Sequence, residues 1–208
     1  MNSSKDSLSV LADMLVALPS IGPRQARRLA FWLVRKDKQW IKEFARAIQD
    51  AREHIETCPL CMRLYPQSST HSKLCAICSS GARDDALLLL VERDVDLENI
   101  ERTGAYSGKY FVLGGTTSPL DKTPEKSIRI ESLKKRLSST EYPVREVVLA
   151  LSATTAGEDT VLYLSDTLKN VLEQKNITMS RLGRGLSTGT ELEYVDKETM
   201  THALKSRD

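Results

Sequence analysis

All four cysteines of the chain stand in two tight pairs, Cys58-Pro-Leu-Cys61 and Cys75-Ala-Ile-Cys78, with thirteen residues between the pairs. Two intervening residues let a single turn of backbone aim both sulfurs at one centre, and two such turns supply the four thiolates of a tetrahedral ion. Zinc, one ion per chain, is the expected occupant. With sulfur at all four corners no position is open to water, so the ion is expected to hold a loop together rather than to activate a nucleophile. A redox dithiol and an iron cluster use the same pattern, and the absorbance of purified protein separates iron from zinc. His71, in the polar run Ser68-Ser-Thr-His-Ser72, is expected on the surface rather than among the ligands.

A second chemistry is electrostatic. Between Gly22 and Arg46 eight basic residues (Arg24, Arg27, Arg28, Arg35, Lys36, Lys38, Lys42, Arg46) face two acidic ones, Asp37 and Glu43, a local excess of six positive charges in a chain whose total is only +2. Such a run is either a solvated helix face or the footprint of a polyanion. A third set of residues is acidic. Glu92, Glu158 and Asp159 could in principle hold a magnesium ion for phosphoryl transfer. However, the segment Ser152-Ala-Thr-Thr-Ala-Gly-Glu158 offers hydroxyls where two aspartates would be wanted, and solvated carboxylates with helix amino-terminal charges explain these residues as well. The three histidines, His54, His71 and His202, lie in unrelated contexts, and no nucleophile-histidine grouping is visible.

The elements that must position these residues are legible from periodicity. At 208 residues, 40% hydrophobic and 28% charged, the chain reads as globular, with one or two domains. The amino-terminal MNSSKDSLSV has no apolar signal region and the longest apolar runs are far shorter than a membrane span, so a cytoplasmic location is expected, where thiols stay reduced. Leu8, Leu11, Leu15 and Leu18 recur at helical spacing, Pro19-Ser-Ile-Gly-Pro23 interrupts, and Ala26, Leu29, Ala30 and Leu33 resume the period. This reads as a helix-hairpin-helix whose Gly22 leaves backbone N–H groups open to phosphate, with Arg24 and Arg28 on one face beside it. A third helix is expected to turn Trp40, Ile41, Phe44, Ala45 and Ile48 inward. Beyond the cysteines, strands at Ala86–Val91, Tyr110–Leu113, Glu146–Leu151 and Ile177–Ser180 alternate with helices at Asp96–Arg102, Ser127–Leu137 and Asp159–Glu173, and a last helix spans Lys197–Lys205. The alternation predicts a largely parallel sheet covered on both faces, with Glu92 and the 152–158 loop at the carboxyl ends of its strands.

In order along nearly the whole chain, Leu18-Pro-Ser-Ile-Gly-Pro23, the four-cysteine module, Leu89-Leu-Val-Glu92, Thr103-Gly-Ala-Tyr-Ser-Gly-Lys-Tyr110, Leu113-Gly-Gly115, Ser118-Pro-Leu-Asp121, Arg184-Gly-Leu186 and Leu192-Glu-Tyr-Val-Asp196 resemble the RecR family of bacterial recombination mediators. The resemblance implies an α+β chain of several parts: a helical helix-hairpin-helix region over 1–55, a four-cysteine zinc finger over 56–79, an α/β Toprim domain over 80–175 and a carboxy-terminal loop and helix over 176–208. By position it assigns zinc to Cys58, Cys61, Cys75 and Cys78 and DNA contact to Gly22, Arg24 and Arg28. It also implies a ring-shaped homotetramer around single- or double-stranded DNA, and RecO and RecF as partners in loading RecA at gaps coated by SSB. Toprim enzymes carry a glutamate at the first strand end and paired aspartates after a later strand. Glu92 matches the first, while Ser152 and Thr154 replace the aspartates, a loss the resemblance also implies for the family and one consistent with a non-enzymatic role. Glu92 and Glu158 are then expected to mark a residual Toprim or partner-contacting site. The chain departs from the family pattern at Leu151-Ser-Ala153, where Thr-Asn-Pro is usual, and at Ala156, where glutamate is usual. Two other readings compete: a magnesium-dependent Toprim nuclease or primase-like enzyme using Glu92, Glu158 and Asp159, and a zinc-stapled adaptor that never touches nucleic acid.

Overall fold

The computed structural model describes residues 6–67, 73–121, 123–183, 185–186 and 189–205; His71 and Arg184 lie outside them. The chain divides into two compact units, 1–55 and 56–208. The first holds three helices. Asp6 caps α1 (Ser7–Val16) by accepting from Ser9 N at 2.9 Å, Pro23 occupies the first turn of α2 (Pro23–Val34), and Asp37 caps α3 (Lys38–His54) by accepting from Trp40 N at 2.8 Å. Helices α1 and α2 pack together through Ala26 and Ala30, both fully buried. The inward face expected of α3 is not inward: Ile41, Phe44 and Ile48 are 36%, 45% and 57% exposed. Trp40 instead stacks on Phe44 and meets Trp32 edge-on. Some fifty residues in three helices offer no second layer for that stripe, so its periodicity survives while its burial does not.

The short paired strands β1 (Ile55–Thr57), whose first residue is the last of the first unit, and β2 (Leu64–Pro66) come next, followed by the single turn α4 (Ala76–Ser79). Strands β3 (Asp84–Val91), β4 (Gly108–Val112), β5 (Glu146–Ala150) and β6 (Thr178–Arg181) then form one sheet in the order β4-β3-β5-β6, every pair parallel. Successive side chains of a strand face opposite sides. Leu88, Leu90, Phe111, Leu113, Val147 and Leu149 therefore meet one layer, built from α7 (Ile130–Ser138) and α8 (Thr155–Lys175) through Leu133, Leu137, Val161, Leu164 and Leu168. Leu89, Val91, Tyr110 and Val112 face the other way, against Leu97 of α5 (Asp94–Thr103) and against Cys58, Cys61, Cys75 and Ile77. The cysteine module is thus part of the second cover of the sheet.

The helix expected over Ser127–Leu137 is broken in two, α6 (Pro124–Ser127) and α7, because Ile128 is extended and buried and Arg129 leaves the helical path to reach carbonyls elsewhere. Helix α8 begins four residues earlier than its apolar pattern suggested, at the cap Thr154. A 3-10 turn at Leu192–Tyr194 and helix α9 (Lys197–Lys205) close the chain.

Candidate functional site

The first cysteine pair sits in the turn between β1 and β2. Cys58 N donates to Arg63 O and Met62 N to Cys58 O, each at 2.9 Å, which curls the backbone so that Cys58 and Cys61 point the same way. The second pair is held by α4, with Cys75 at its amino-terminal cap, Cys78 within the turn, and Ser79 N donating to Cys75 O at 3.0 Å. All four sulfurs lie within 4.8 Å of one another and Cys61 Sγ is 3.6 Å from Cys75 Sγ. A tetrahedral zinc with bonds of about 2.3 Å to sulfur spaces its ligands roughly 3.8 Å apart, so the cage fits such an ion. Its electrostatics point the same way. Hydrogen bonds from Cys61, Cys75 and Cys78 hold the Cys58 thiol far below its usual range, while Cys61 and Cys78 are driven far up by the thiolate beside them and by burial. Against the opposing effect of Cys58, hydrogen bonds from Cys61 and Cys78 also lower Cys75, to about 7. The cage thus favours the thiolate at two positions and opposes it at the other two, an opposition that a bound divalent cation removes.

Three contacts from distant residues fasten this cage to the sheet, and sequence reasoning missed the residues that make two of them. Val112 N donates to Cys61 O at 2.8 Å. Arg129 Nη1 donates to Met62 O at 2.7 Å and to Val112 O at 3.2 Å. Lys109, 2% exposed, donates from Nζ to the carbonyls of Ile77, Cys78 and Ser80 at 3.0, 3.2 and 2.7 Å. The available signal was a lysine in the middle of an otherwise apolar strand, Gly108-Lys-Tyr-Phe-Val112.

At the other end of the sheet, Val91 of β3 pairs with Ala150 of β5, so the residues that follow them are neighbours. Glu92 is 7% exposed, and its Oε1 accepts from Ser152 N at 2.7 Å and from Ser152 Oγ at 2.6 Å. Ser152 spends its one hydroxyl proton on that carboxylate, so in the 3.0 Å contact between Ser152 Oγ and Thr154 Oγ1 the donor is Thr154. Thr154 Oγ1 also accepts from Gly157 N at 3.2 Å, capping α8. A Cβ at Gly157 would run into the Ser152 carbonyl oxygen, so only glycine lets this helix start so close to the strand end. Ser152 alone therefore satisfies the buried carboxylate, through its amide and its hydroxyl, while Thr154 supports the Ser152 hydroxyl and caps α8. Glu158 and Asp159 do not join them. Glu158 pairs with Arg181 Nη1 at 3.0 Å, and Asp159 borders a cleft with Thr117, Asp121, Leu162 and Tyr163. Among the described residues the four cysteines are the only group of three or more cysteine, histidine or acidic side chains gathered around one point, so the carboxylate triad of the enzymatic reading is not assembled.

In the first unit the hairpin turns through Ser20, whose φ of 61° is left-handed, and Ile21 N donates to Leu18 O at 3.3 Å. Gly22 caps α2 with no side-chain partner and open space where a Cβ would be, and Gly22, Arg24 and Arg28 are all exposed.

Comparison with known proteins adds the family. The RecR helix-hairpin-helix model matches residues 8–52, a Toprim domain model 86–183 and the RecR carboxy-terminal model 185–207. The chain is 39% identical to recombination protein RecR of Acinetobacter baylyi and 38% identical to that of Chlorobium chlorochromatii, in both cases over 202 residues covering 97% of this chain and 96% of the relative. The chain belongs to the RecR family. The matched segments follow the architecture of the chain. The helix-hairpin-helix match covers α1, α2 and nearly all of α3, the Toprim match runs from inside β3 past the end of β6, and the cysteine cage falls between them. Among the described residues no helix is long and apolar enough to cross a membrane.

Proposed function

We propose that this RecR-family chain is a DNA-binding recombination mediator with no catalytic step of its own, working in the cytoplasm. The reading rests on one pairing within a chain of this family: exposed arginines at a helix-hairpin-helix, and a Toprim strand end whose one buried carboxylate is occupied by hydroxyl and amide donors. Arg24 and Arg28, with the open N–H groups at the start of α2, hold backbone phosphates of single- or double-stranded DNA. Cys58, Cys61, Cys75 and Cys78 hold one structural zinc. The work divides among a helical region at 1–55, the zinc finger at 56–79, the Toprim domain at 80–175 and a carboxy-terminal segment at 176–208. One hairpin makes few phosphate contacts, so useful affinity comes from several hairpins in a ring-shaped homotetramer. RecO and RecF are the partners through which RecA is loaded at single-stranded gaps.

A DNA titration at several salt concentrations tests this reading. The logarithm of affinity should fall with the logarithm of salt by roughly 0.9 per neutralised phosphate on duplex DNA. Arg24→Ala with Arg28→Ala should weaken all sequences alike and flatten that slope, with oligomer mass and metal content unchanged. Wild-type affinity and slope in the double variant would place the DNA surface elsewhere. Magnesium-dependent cleavage abolished by Glu92→Gln would restore the enzymatic reading.

A further inference from the structure

Both tryptophans of the chain belong to one aromatic cluster of the first unit. Trp32, in the last turn of α2, and Trp40, in the first turn of α3, meet edge-on with ring centres 5.5 Å apart. Phe44, one turn further along α3, lies nearly parallel to Trp40 at 5.1 Å, with 13° between the rings. No further ring follows Phe44 among the described residues, and Trp32 and Phe44 remain 49% and 45% exposed. Cations interleave with the rings. Lys36 Nζ lies 4.3 Å from the centre of the Trp32 ring and 5.7 Å from that of Trp40. Arg35, Lys38 and Lys42 are exposed and form no ion pair with any described residue. The two acidic residues of the stretch 35–46 are engaged, Asp37 in capping α3 and Glu43 with Gln39. Open rings amid unpaired cations suit a ligand that offers flat apolar faces along an anionic backbone. A second copy of this face fits poorly, because a two-fold contact sets a patch against its own image and brings lysine against lysine. Duplex DNA hides the faces of its bases, whereas a single strand presents them.

We propose that Trp32, Trp40 and Phe44 form a stacking platform for unpaired bases, so that this face selects single-stranded over duplex DNA. A base lies on the open side of Phe44 and extends the stack that Trp40 begins, while Lys36, Lys38 and Lys42 meet the adjoining phosphates. This inference rests on the DNA-binding reading above: the hairpin arginines hold any backbone, and the platform supplies the preference.

The full chain carries its own reporter, since all of its tryptophan lies in the platform. It is titrated with an oligothymidylate, with a strand of the same length that lacks bases, and with the corresponding duplex. Oligothymidylate should quench the tryptophan fluorescence and bind more tightly than the abasic strand, and neither the abasic strand nor the duplex should quench. Phe44→Leu keeps the apolar bulk and removes the ring. It should lose about five-fold or more in affinity for oligothymidylate, the lower end of what one stacked base contributes, and keep its affinity for duplex. Trp32→Leu should act in the same direction, and Phe44→Tyr should bind the single strand as wild type does. If both leucine variants bind oligothymidylate as wild type does, the proposal fails. It fails also if they lose single-strand and duplex affinity alike together with oligomer mass, a result that would mark this face as a contact between copies. Should neither leucine variant fold, the wild-type comparison decides: equal affinity for oligothymidylate and the abasic strand, without quenching, overturns the platform. Failure of the underlying reading looks different. Wild-type protein that binds none of the three ligands would remove DNA binding altogether, whereas wild-type duplex affinity in Arg24→Ala with Arg28→Ala, with quenching by oligothymidylate intact, would remove the hairpin contacts and leave the platform standing.

Discussion

Replacing Ser152 by alanine removes one oxygen and leaves a buried carboxylate short of a donor. Glu92 accepts two hydrogen bonds on Oε1, from the Ser152 amide at 2.7 Å and its hydroxyl at 2.6 Å, and is only 7% exposed. A hydrogen bond to a charged group contributes about 1.5–3 kcal/mol. The amide donor survives the substitution, so the expected loss is near the lower end, about 2 kcal/mol. For a unit of this size that lowers the melting temperature by roughly 4–8 °C. Ser152→Asp should fall further in the absence of divalent ions, because it sets a second carboxylate against the first inside a shielded site. Tryptophan fluorescence cannot read this change, since Trp32 and Trp40 both lie in residues 1–55. Urea unfolding followed by amide exchange along β3 reads the right unit. The hydroxyl would be no substitute for an aspartate, and Glu92 would owe its burial to something else, if Ser152→Ala unfolded at the wild-type midpoint with an unchanged denaturant slope.

Chelating the metal under reducing conditions should loosen the sheet as well as the cysteine loop, because Cys58, Cys61 and Cys75 share one apolar cluster with Leu89, Val91, Tyr110 and Val112. Faster amide exchange at β3 and β4 is the expected result, and protection there equal to that of the zinc-loaded protein would show that the finger is a separate part. Burial drives the Tyr106 and Tyr110 hydroxyls well above their ordinary range, helped at Tyr110 by its hydrogen bond to Glu101 and at Tyr106 by the charge of Asp84. Protons the folded state keeps and the unfolded state loses destabilise the fold as pH rises, so stability should be full below about pH 10 and decline above it. Phenolate absorbance that reached its full amplitude before the loss of circular dichroism would refute this.

The sequence alone determined what depends on neighbours along the chain. Two-residue gaps between cysteines require a common centre for each pair, Pro19 to Pro23 cannot continue a helix, and runs such as Leu87–Val91 suit a strand buried on both sides. The resemblance, carried by motif order, supplied the family. Tertiary structure decided everything that depends on a partner far along the chain. Arg129 breaks a helix to reach Met62, 67 positions away, Lys109 supports a turn 32 positions away at Ile77, and Ser152 meets Glu92 across 60. No local periodicity encodes such pairings, because a hydrogen bond is specified by where two chain segments meet and not by the composition of either. Helix α3 shows the converse: its pattern identified a helix and an apolar stripe, but burial needs a second surface, and residues 1–55 by themselves do not provide one.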